Sequence, residues 1–296
     1  MTNTRFGFWP RNWRMDAPDL QVQPLPAYSD VTSAILSHKR AYDGWIHPPL
    51  APASLSQPSP EIPAIAYKLP ATHQLTGEAE WMDPEYAGFV IALIGMLDGL
   101  RLVPEGWSHF HKAAVAPMKL ADIVCTAREV AKAIDLASQW WKAANQECRK
   151  WMFGSIHWYC FASGYDHEFE RFGGLNTVLD TMHRIHIEQG GTRARTYAQQ
   201  TQVLAKAYGI PVPPWAVVRG KSCDLSALRN EFIHEGRYGG EPIGFAFPKR
   251  SITLELAAFM TRLILAVLGV ECGYIHSSTT TWQMHGLDFS IVEHKR

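Results

Sequence analysis

The sequence predicts a mainly α chain: a helical bundle over 111–275, behind an N-terminal region of short strands and loops over 1–110, with a tail over 276–296. Three observations carry that expectation. Prolines crowd the chain before residue 80. Apolar residues recur at three- and four-residue steps after about residue 112, the period of an amphipathic helix. Glycines stand where those periodic stretches stop.

Composition sets the outer limits. The chain has 296 residues, 47% hydrophobic and 19% charged, which supplies a sizeable core and excludes wholesale disorder. Lys+Arg 28 balance Asp+Glu 28, which argues against a polybasic binder and leaves a local basic groove open. The five cysteines, at 125, 148, 160, 223 and 272, form no C-x-x-C pair. An odd count without that spacing argues against a disulfide framework or a zinc ribbon and suits a reducing compartment. The opening MTNTRFGFWPRNWR has no apolar run of the secretory kind. The best membrane candidate, Ala87 to Val103, is interrupted by Asp98 and Arg101, three apart on one helix face. It falls short of the roughly 20 apolar residues of a span and reads as a buried core helix. Leu254 to Val270, broken by Glu255 and Arg262, reads the same way. The expectation is a soluble, cytoplasmic protein with no membrane partner.

In chain order, residues 1–80 hold eleven of the nineteen prolines, too many for long helices. Phe6, Phe8, Trp9, Trp13, Tyr28, Tyr42, Trp45 and Tyr67 punctuate the same stretch, so it reads as ordered strands and loops of unassigned fold. Its run from Arg5 to Arg14 interleaves basic and aromatic residues, a texture suited to base stacking and phosphate contact. A strand packing its aromatics inward explains that run as well. After Pro117, Leu120, Val124, Val130, Ile134, Ala137 and Trp141 make one helical stripe. CRKWMFGSIHWYCFAS and EFERFGGLNTVLDTMHRIHIE make the next two. RTYAQQTQVLAKAYG ends at Gly209 and Pro211, and Asp224 is placed to cap a helix through LSALRNEFIH that Gly236 halts. ITLELAAFMTRLILAVLG closes the series at Gly269. Five or six helices with short connections make a bundle from about 112 to 272. Trp140, Trp141, Trp151 and Trp158 belong to its core or to a dimer interface.

Familiar chemistry is absent from the motifs. Gly220-Lys221-Ser222 lacks the first glycine of a P-loop, because position 215 is Trp. There is no G-x-G-x-x-G, G-x-S-x-G or H-E-x-x-H, which lowers the case for a dinucleotide enzyme, an α/β-hydrolase or a zincin. Asp180, His183 and His186 stand at i, i+3 and i+6 without an evident fourth ligand. A helix end that favours cationic histidine accounts for them without a metal, and no cofactor is expected.

One motif remains. LSALRNEFIHEGRYGG contains Arg229-Asn230 followed by His234, an R-[polar]-x-x-x-H spacing on a short amphipathic helix, late in the bundle. A looser pair, Arg40 and His47, sits in proline-rich chain and lacks that context. Imidazole moves protons near neutral pH, and guanidinium presents a fork of donors to phosphate oxygens. Asn230 could donate to a phosphate oxygen or fix the histidine tautomer. On an α-helix, five residues separate Arg229 and His234 by about 7.5 Å and well over a right angle. One copy therefore makes an incomplete site. A surface arginine beside a helix-terminal histidine is the alternative, and both readings stay open.

With that motif, the C-terminal half resembles a HEPN (higher eukaryotes and prokaryotes nucleotide-binding) domain, near the Apea-like branch. The stretches that carry the resemblance are YDHEFERFGGLNTVLDTMHRI, LRNEFIHEG and LELAAFMTRLILAVLG, within about 160 of the 296 residues. The resemblance implies a metal-independent endoribonuclease that uses the 2′-hydroxyl of RNA as nucleophile. It implies Arg229 and His234 as catalytic residues; Asn230 beside them joins the candidate catalytic set on its chemistry, and Arg237 and Tyr238 just downstream are lesser candidates for holding substrate. It implies a homodimer that completes the site, and a toxin or antiviral-defence role under a regulatory protein or nucleic-acid trigger. A HEPN-like module that binds nucleotide, RNA or a protein partner without catalysis is the alternative. Glu170 and Asp180 could pair with Arg229 or orient His234, or be ordinary helix charges.

Overall fold

The computed structural model describes residues 2–48, 67–78, 82–109, 111–119, 122–244, 249, 251–280 and 283–290. The prolines at 49, 52, 58, 60 and 63, Leu120 and the last six residues lie outside them. The chain divides into two compact units, Met1–Leu120 and Ala121–Arg296. The mainly α expectation does not hold. Twelve strands accompany eight α-helices among the described residues, so the fold is mixed α/β with a strand-rich first unit. Proline explains the misreading. It prevents long helices, but it is compatible with short strands at sheet edges and strand ends, and those are too brief to show a period.

In the first unit, β1 (Thr2–Gly7), β2 (Met15–Ala17) and β3 (Leu20–Pro24) precede α1 (Tyr28–Leu36). Next come β4 (Ala41–Tyr42), β5 (Trp45–Ile46) and β6 (His73–Gly77). The unit ends with α2 (Pro84–Leu97), β7 (Val103–Pro104) and β8 (Ala113–Ala114). Five strands form an antiparallel sheet in the order β2-β3-β6-β1-β7, and β4-β5-β8 form a smaller one. Alternation sets the large sheet's faces: Leu20 and Val22 on β3 and His73 and Leu75 on β6 are buried, while Gln21 is exposed. Asp83 caps α2 by accepting from the Tyr86 N–H, with Pro84 at the first helical position. Every residue from Tyr86 to Leu97 is buried, as a core helix requires. The helix ends at Leu97, however, so Asp98 and Arg101 do not share a helix face. Asp98 sits at the C-cap and takes Arg11, not Arg101, as its ion-pair partner.

The second unit opens with β9 (Ile123–Val124), where the apolar stripe predicts continuous helix. Thr126 then caps α3 (Ala127–Ala143) in a reciprocal box with Glu129. α4 (Gln146–Ala162) and α5 (Glu168–Glu188) follow, then α6 (Tyr197–Ala207) and α7 (Asp224–Asn230). A two-stranded hairpin, β10 (Arg237–Tyr238) and β11 (Glu241–Pro242), leads to α8 (Thr253–Val267). From the tail, β12 (His285–Gly286) pairs parallel with β9. α5 is the central helix and packs against α4, α6 and α8. Gly174 lets α4 and α5 approach closely, because a Cβ there would meet the Ala162 Cβ at 2.5 Å. Gly209, Gly236 and Gly269 end their helices with positive φ, as their positions in the sequence suggest. Among the described residues no helix is long and apolar enough to cross a membrane.

Candidate functional site

The motif occupies the end of α7 and the turn after it. Cys223, not Asp224, is the N-cap of α7, and its sulfur accepts from the Ser226 N–H. Leu225, Ser226 and Leu228 face inward, which leaves Arg229 half-buried and Asn230 exposed. Beyond Asn230 the helix widens into a single π turn, Glu231–Glu235, closed by the Gly236 N–H on the Glu231 carbonyl. A π turn carries fewer degrees per residue than an α turn, so α-helical arithmetic overstates the angle between Arg229 and His234. His234 is exposed and makes no hydrogen bond or ion pair among the described residues. The π turn is anchored on both sides: Phe232 meets Phe172 edge to face, and the Glu231 carboxylate accepts from the Gly240 N–H at 3.0 Å.

The other expected contacts separate in character. Arg237 is exposed and spends one N–H on the Gly240 carbonyl, across the hairpin turn. Tyr238 is buried, with its hydroxyl against Thr253 at 2.5 Å and its ring 5.1 Å from Phe172. That environment makes Tyr238 a strut between the hairpin and α8, closed to a substrate. Glu170 reaches back to the His167 N–H and so serves the start of α5.

Arg229 opens onto a cleft of about 830 Å³. Asp180, His183 and Arg184 of α5 line one side, Arg193 and Arg195 of the following loop another, and Tyr197 at the start of α6 the floor. The Arg229 guanidinium lies 4.3 Å from the Tyr197 ring centroid, a cation–π contact that orients it without neutralising it. The Tyr197 hydroxyl donates to Asn176 Oδ1, which fixes the ring. Burial pushes the Tyr197 phenol far above its ordinary range, the Asp180 charge adds to that, and Arg229 opposes it. None of Arg184, Arg193, Arg195 and Arg229 has an ion-pair partner among the described residues; Asp180 lines the same cleft without pairing with any of them.

The loop that carries two of these arginines is pinned. The Ala194 N–H donates to His183 Nε2 at 3.1 Å, and the Arg195 N–H donates to Gln199 Oε1 at 3.2 Å. With Nε2 accepting, a neutral His183 carries its proton on Nδ1, which pairs with the Gln200 side chain 3.3 Å away when that amide turns its otherwise unpartnered oxygen, in place of its NH2, toward the ring. Burial lowers the His183 pKa, the neighbouring His186 lowers it further, and Asp180 opposes them, so the ring is neutral at pH 7. His186 meets the Tyr208 hydroxyl at 3.2 Å, and Gly191 lies against its ring. A Cβ at Gly191 would come within 2.2 Å of that ring. Both histidines of the Asp180–His183–His186 cluster are thus built into the loop anchor. Among the described residues no group of three His, Cys, Asp or Glu could hold a metal ion.

In the first unit, the basic–aromatic run is mostly internal. Phe6, Phe8 and Trp9 are buried, and Arg11 binds Asp98. Sequence reasoning finds Arg229 and misses Arg184, Arg193 and Arg195. The available signal is Arg-x-Arg-Thr directly ahead of the periodic α6 segment, where the loop must turn its side chains outward. No family model, curated protein or solved structure matches the chain.

Proposed function

We propose that the second unit is a HEPN-like, metal-independent endoribonuclease whose active site is completed by a second copy of the chain. Arg229 holds a phosphodiester and stabilises the charge that grows on its non-bridging oxygens. His234 takes the proton of the ribose 2′-hydroxyl as that oxygen attacks phosphorus. The bond to the 5′-oxygen breaks, and the His234 of the second copy protonates the leaving oxygen. The products are a 2′,3′-cyclic phosphate and a 5′-hydroxyl, without a metal at any step. Asn230, exposed beside Arg229, donates its amide to a phosphate oxygen, and Arg237 adds positive charge nearby. The resemblance adds a toxin or defence role under a regulatory trigger.

The observation that supports this reading is the state of the motif pair. Arg229 is held by an aromatic face with its charge unmatched, and His234 stands in solvent on an anchored π turn with its ring unengaged. A salt-bridged arginine or a buried histidine would be unfit for the same work. His234 does not line the Arg229 cleft, which favours a site assembled from two copies. The same fact gives the second reading its support, a module that binds RNA or nucleotide and does not cut.

The test incubates the protein with labelled tRNA and total RNA, with and without EDTA, beside His234→Ala and Arg229→Ala variants of matched melting temperature. EDTA-resistant cleavage that falls about 10²- to 10⁴-fold in His234→Ala, the usual worth of a general base, supports the enzyme. Binding without cleavage by the wild type selects the second reading. Equal cleavage by wild type and His234→Ala rules out the proposed site.

A further inference from the structure

We infer that the arginine cleft is a backbone subsite for single-stranded RNA, in which Arg184, Arg193 and Arg195 each receive a phosphate on a strand that continues from Arg229. The inference rests on the ribonuclease reading for the identity of its ligand. The residues themselves carry the rest. Four guanidiniums converge on one cleft, and a single carboxylate, Asp180, stands among them. Like charges gathered on a surface raise the folded state's free energy unless something else neutralises them. Ordinary surface arginines would relax onto neighbouring carboxylates or spread apart. Here the backbone prevents it: the loop between α5 and α6 is bonded to His183, to Gln199 and, through the Gly191 N–H at 2.8 Å, to the His186 carbonyl.

The cleft's dimensions and lining narrow the ligand. About 830 Å³ is far more than one phosphate needs and accommodates several linked ones. Of the aromatic rings in its lining, Tyr197 already carries Arg229, and His183 is buried with both nitrogens engaged; Ile187 is the large aliphatic side chain. The lining described therefore offers a base little aromatic face to stack on. That favours contact with the sugar–phosphate backbone, which fixes register without reading sequence, over a pocket for a mononucleotide. Single-stranded RNA also suits the chemistry, because the ribose must rotate to bring its 2′-oxygen in line with the departing 5′-oxygen. A base-paired helix resists that rotation.

The test measures fluorescence anisotropy of a labelled, 2′-O-methylated single-stranded RNA, which binds but cannot be cut, against salt concentration. Wild type, Lys206→Gln and the triple variant Arg184→Gln/Arg193→Gln/Arg195→Gln are compared, each checked for folding by thermal melting. Three lost phosphate contacts on a single strand should reduce the slope of log affinity against log salt by about 2, with affinity at least roughly tenfold weaker at about 0.1 M salt. Lys206→Gln, which removes an exposed cation of α6 outside the cleft lining, should keep the wild-type slope. An unchanged slope in the triple variant overturns the subsite. Tripolyphosphate separates the sources of phosphate. Micromolar binding of it, with no binding of the oligonucleotide, overturns the RNA assignment in favour of a small anion. If the triple variant shows the predicted slope change yet wild type cleaves no RNA, the subsite stands and the ribonuclease reading falls.

Discussion

Each unit sets an arginine against an aromatic ring, and the two arginines differ in what happens to their charge. In the first unit Arg11 lies 4.8 Å from the Trp13 ring and also donates through Nε and Nη2 to Asp98 at 3.2 and 3.1 Å. The Trp9 indole N–H donates to the same carboxylate at 2.7 Å. In the second unit Arg229 lies 4.3 Å from Tyr197, with no carboxylate paired to it among the described residues. The Asp98 carboxylate is 1% exposed and stands at the C-terminus of a helix, where the dipole disfavours an anion. It is kept there by Arg11 and Trp9. The comparison separates two uses of one motif. A guanidinium that is stacked and neutralised is architecture, while one that is only stacked keeps its donors for a ligand.

The largest expected effect comes from acid. Burial pulls His73 and His109 in the first unit down to about 4, so both are neutral in the fold. The unfolded chain binds protons near pH 6.5 and the folded one does not until about pH 4. Stability from these groups is therefore complete above pH 6.5 and falls as pH drops toward 4. The loss approaches about 3 kcal/mol for each ring. Urea unfolding across that range, with the histidine rings followed by NMR, checks it. Rings that titrate at the ordinary histidine value in the folded protein would sink the idea. In the second unit burial lowers His183 and His186 as well, so their rings should move in the same direction in the same spectrum.

Next in size is Asp98→Ala, which leaves the buried Trp9 indole without an acceptor and Arg11 without its counter-charge. About 3 kcal/mol should be lost from urea unfolding, at the lower end for a broken buried pair because Arg11 can reach water. Asp98→Asn should cost much less, since its carbonyl oxygen still accepts from the indole and the charge at the helix end disappears. Equal losses would mean that the ion pair, not the indole hydrogen bond, sets the cost. In the second unit, Gly174→Ala should cost about 1–3 kcal/mol, because the new methyl meets Ala162 where α4 and α5 touch. A melting temperature unchanged from wild type would show that the two helices separate freely.

How far these features can be read from sequence follows from their period. α4, α5, α6 and α8 repeat apolar residues over about three turns or more and end at marked positions, so they are legible. The first-unit strands are brief, and their pairing depends on partners distant in the chain, such as Phe6 opposite His73. The apolar stripe sets the start of α3 too early, because Ile123 and Val124 fit a helical period while pairing with β12. Arg229 and His234 are legible because their spacing lies within one short run of chain. The cleft is not, since it joins α5, a loop and the end of α7, and Arg193 and Arg195 lie in non-periodic chain. The π turn is invisible as well: Glu231 to Glu235 has nothing in its apolar pattern to distinguish it from one more α turn.

The smallest expected effect tests the comparison most directly. Arg184→Gln, Arg193→Gln and Arg195→Gln should each leave stability within about 0.5 kcal/mol of wild type, as for surface substitutions without structural partners. Combined, they should be neutral or slightly stabilising, because three charges that repel one another are removed. Arg11→Gln should cost clearly more, about 1–3 kcal/mol, because Asp98 keeps its burial and loses its cation. Urea midpoints of the four single variants, measured at one pH and one salt concentration, give the contrast in a single experiment. Raising the salt should then shrink any stabilisation from the triple substitution, since screening removes the repulsion it relieves. If a cleft arginine proves as costly to remove as Arg11, it is holding the fold together, and its lack of a carboxylate partner carries no message about a ligand.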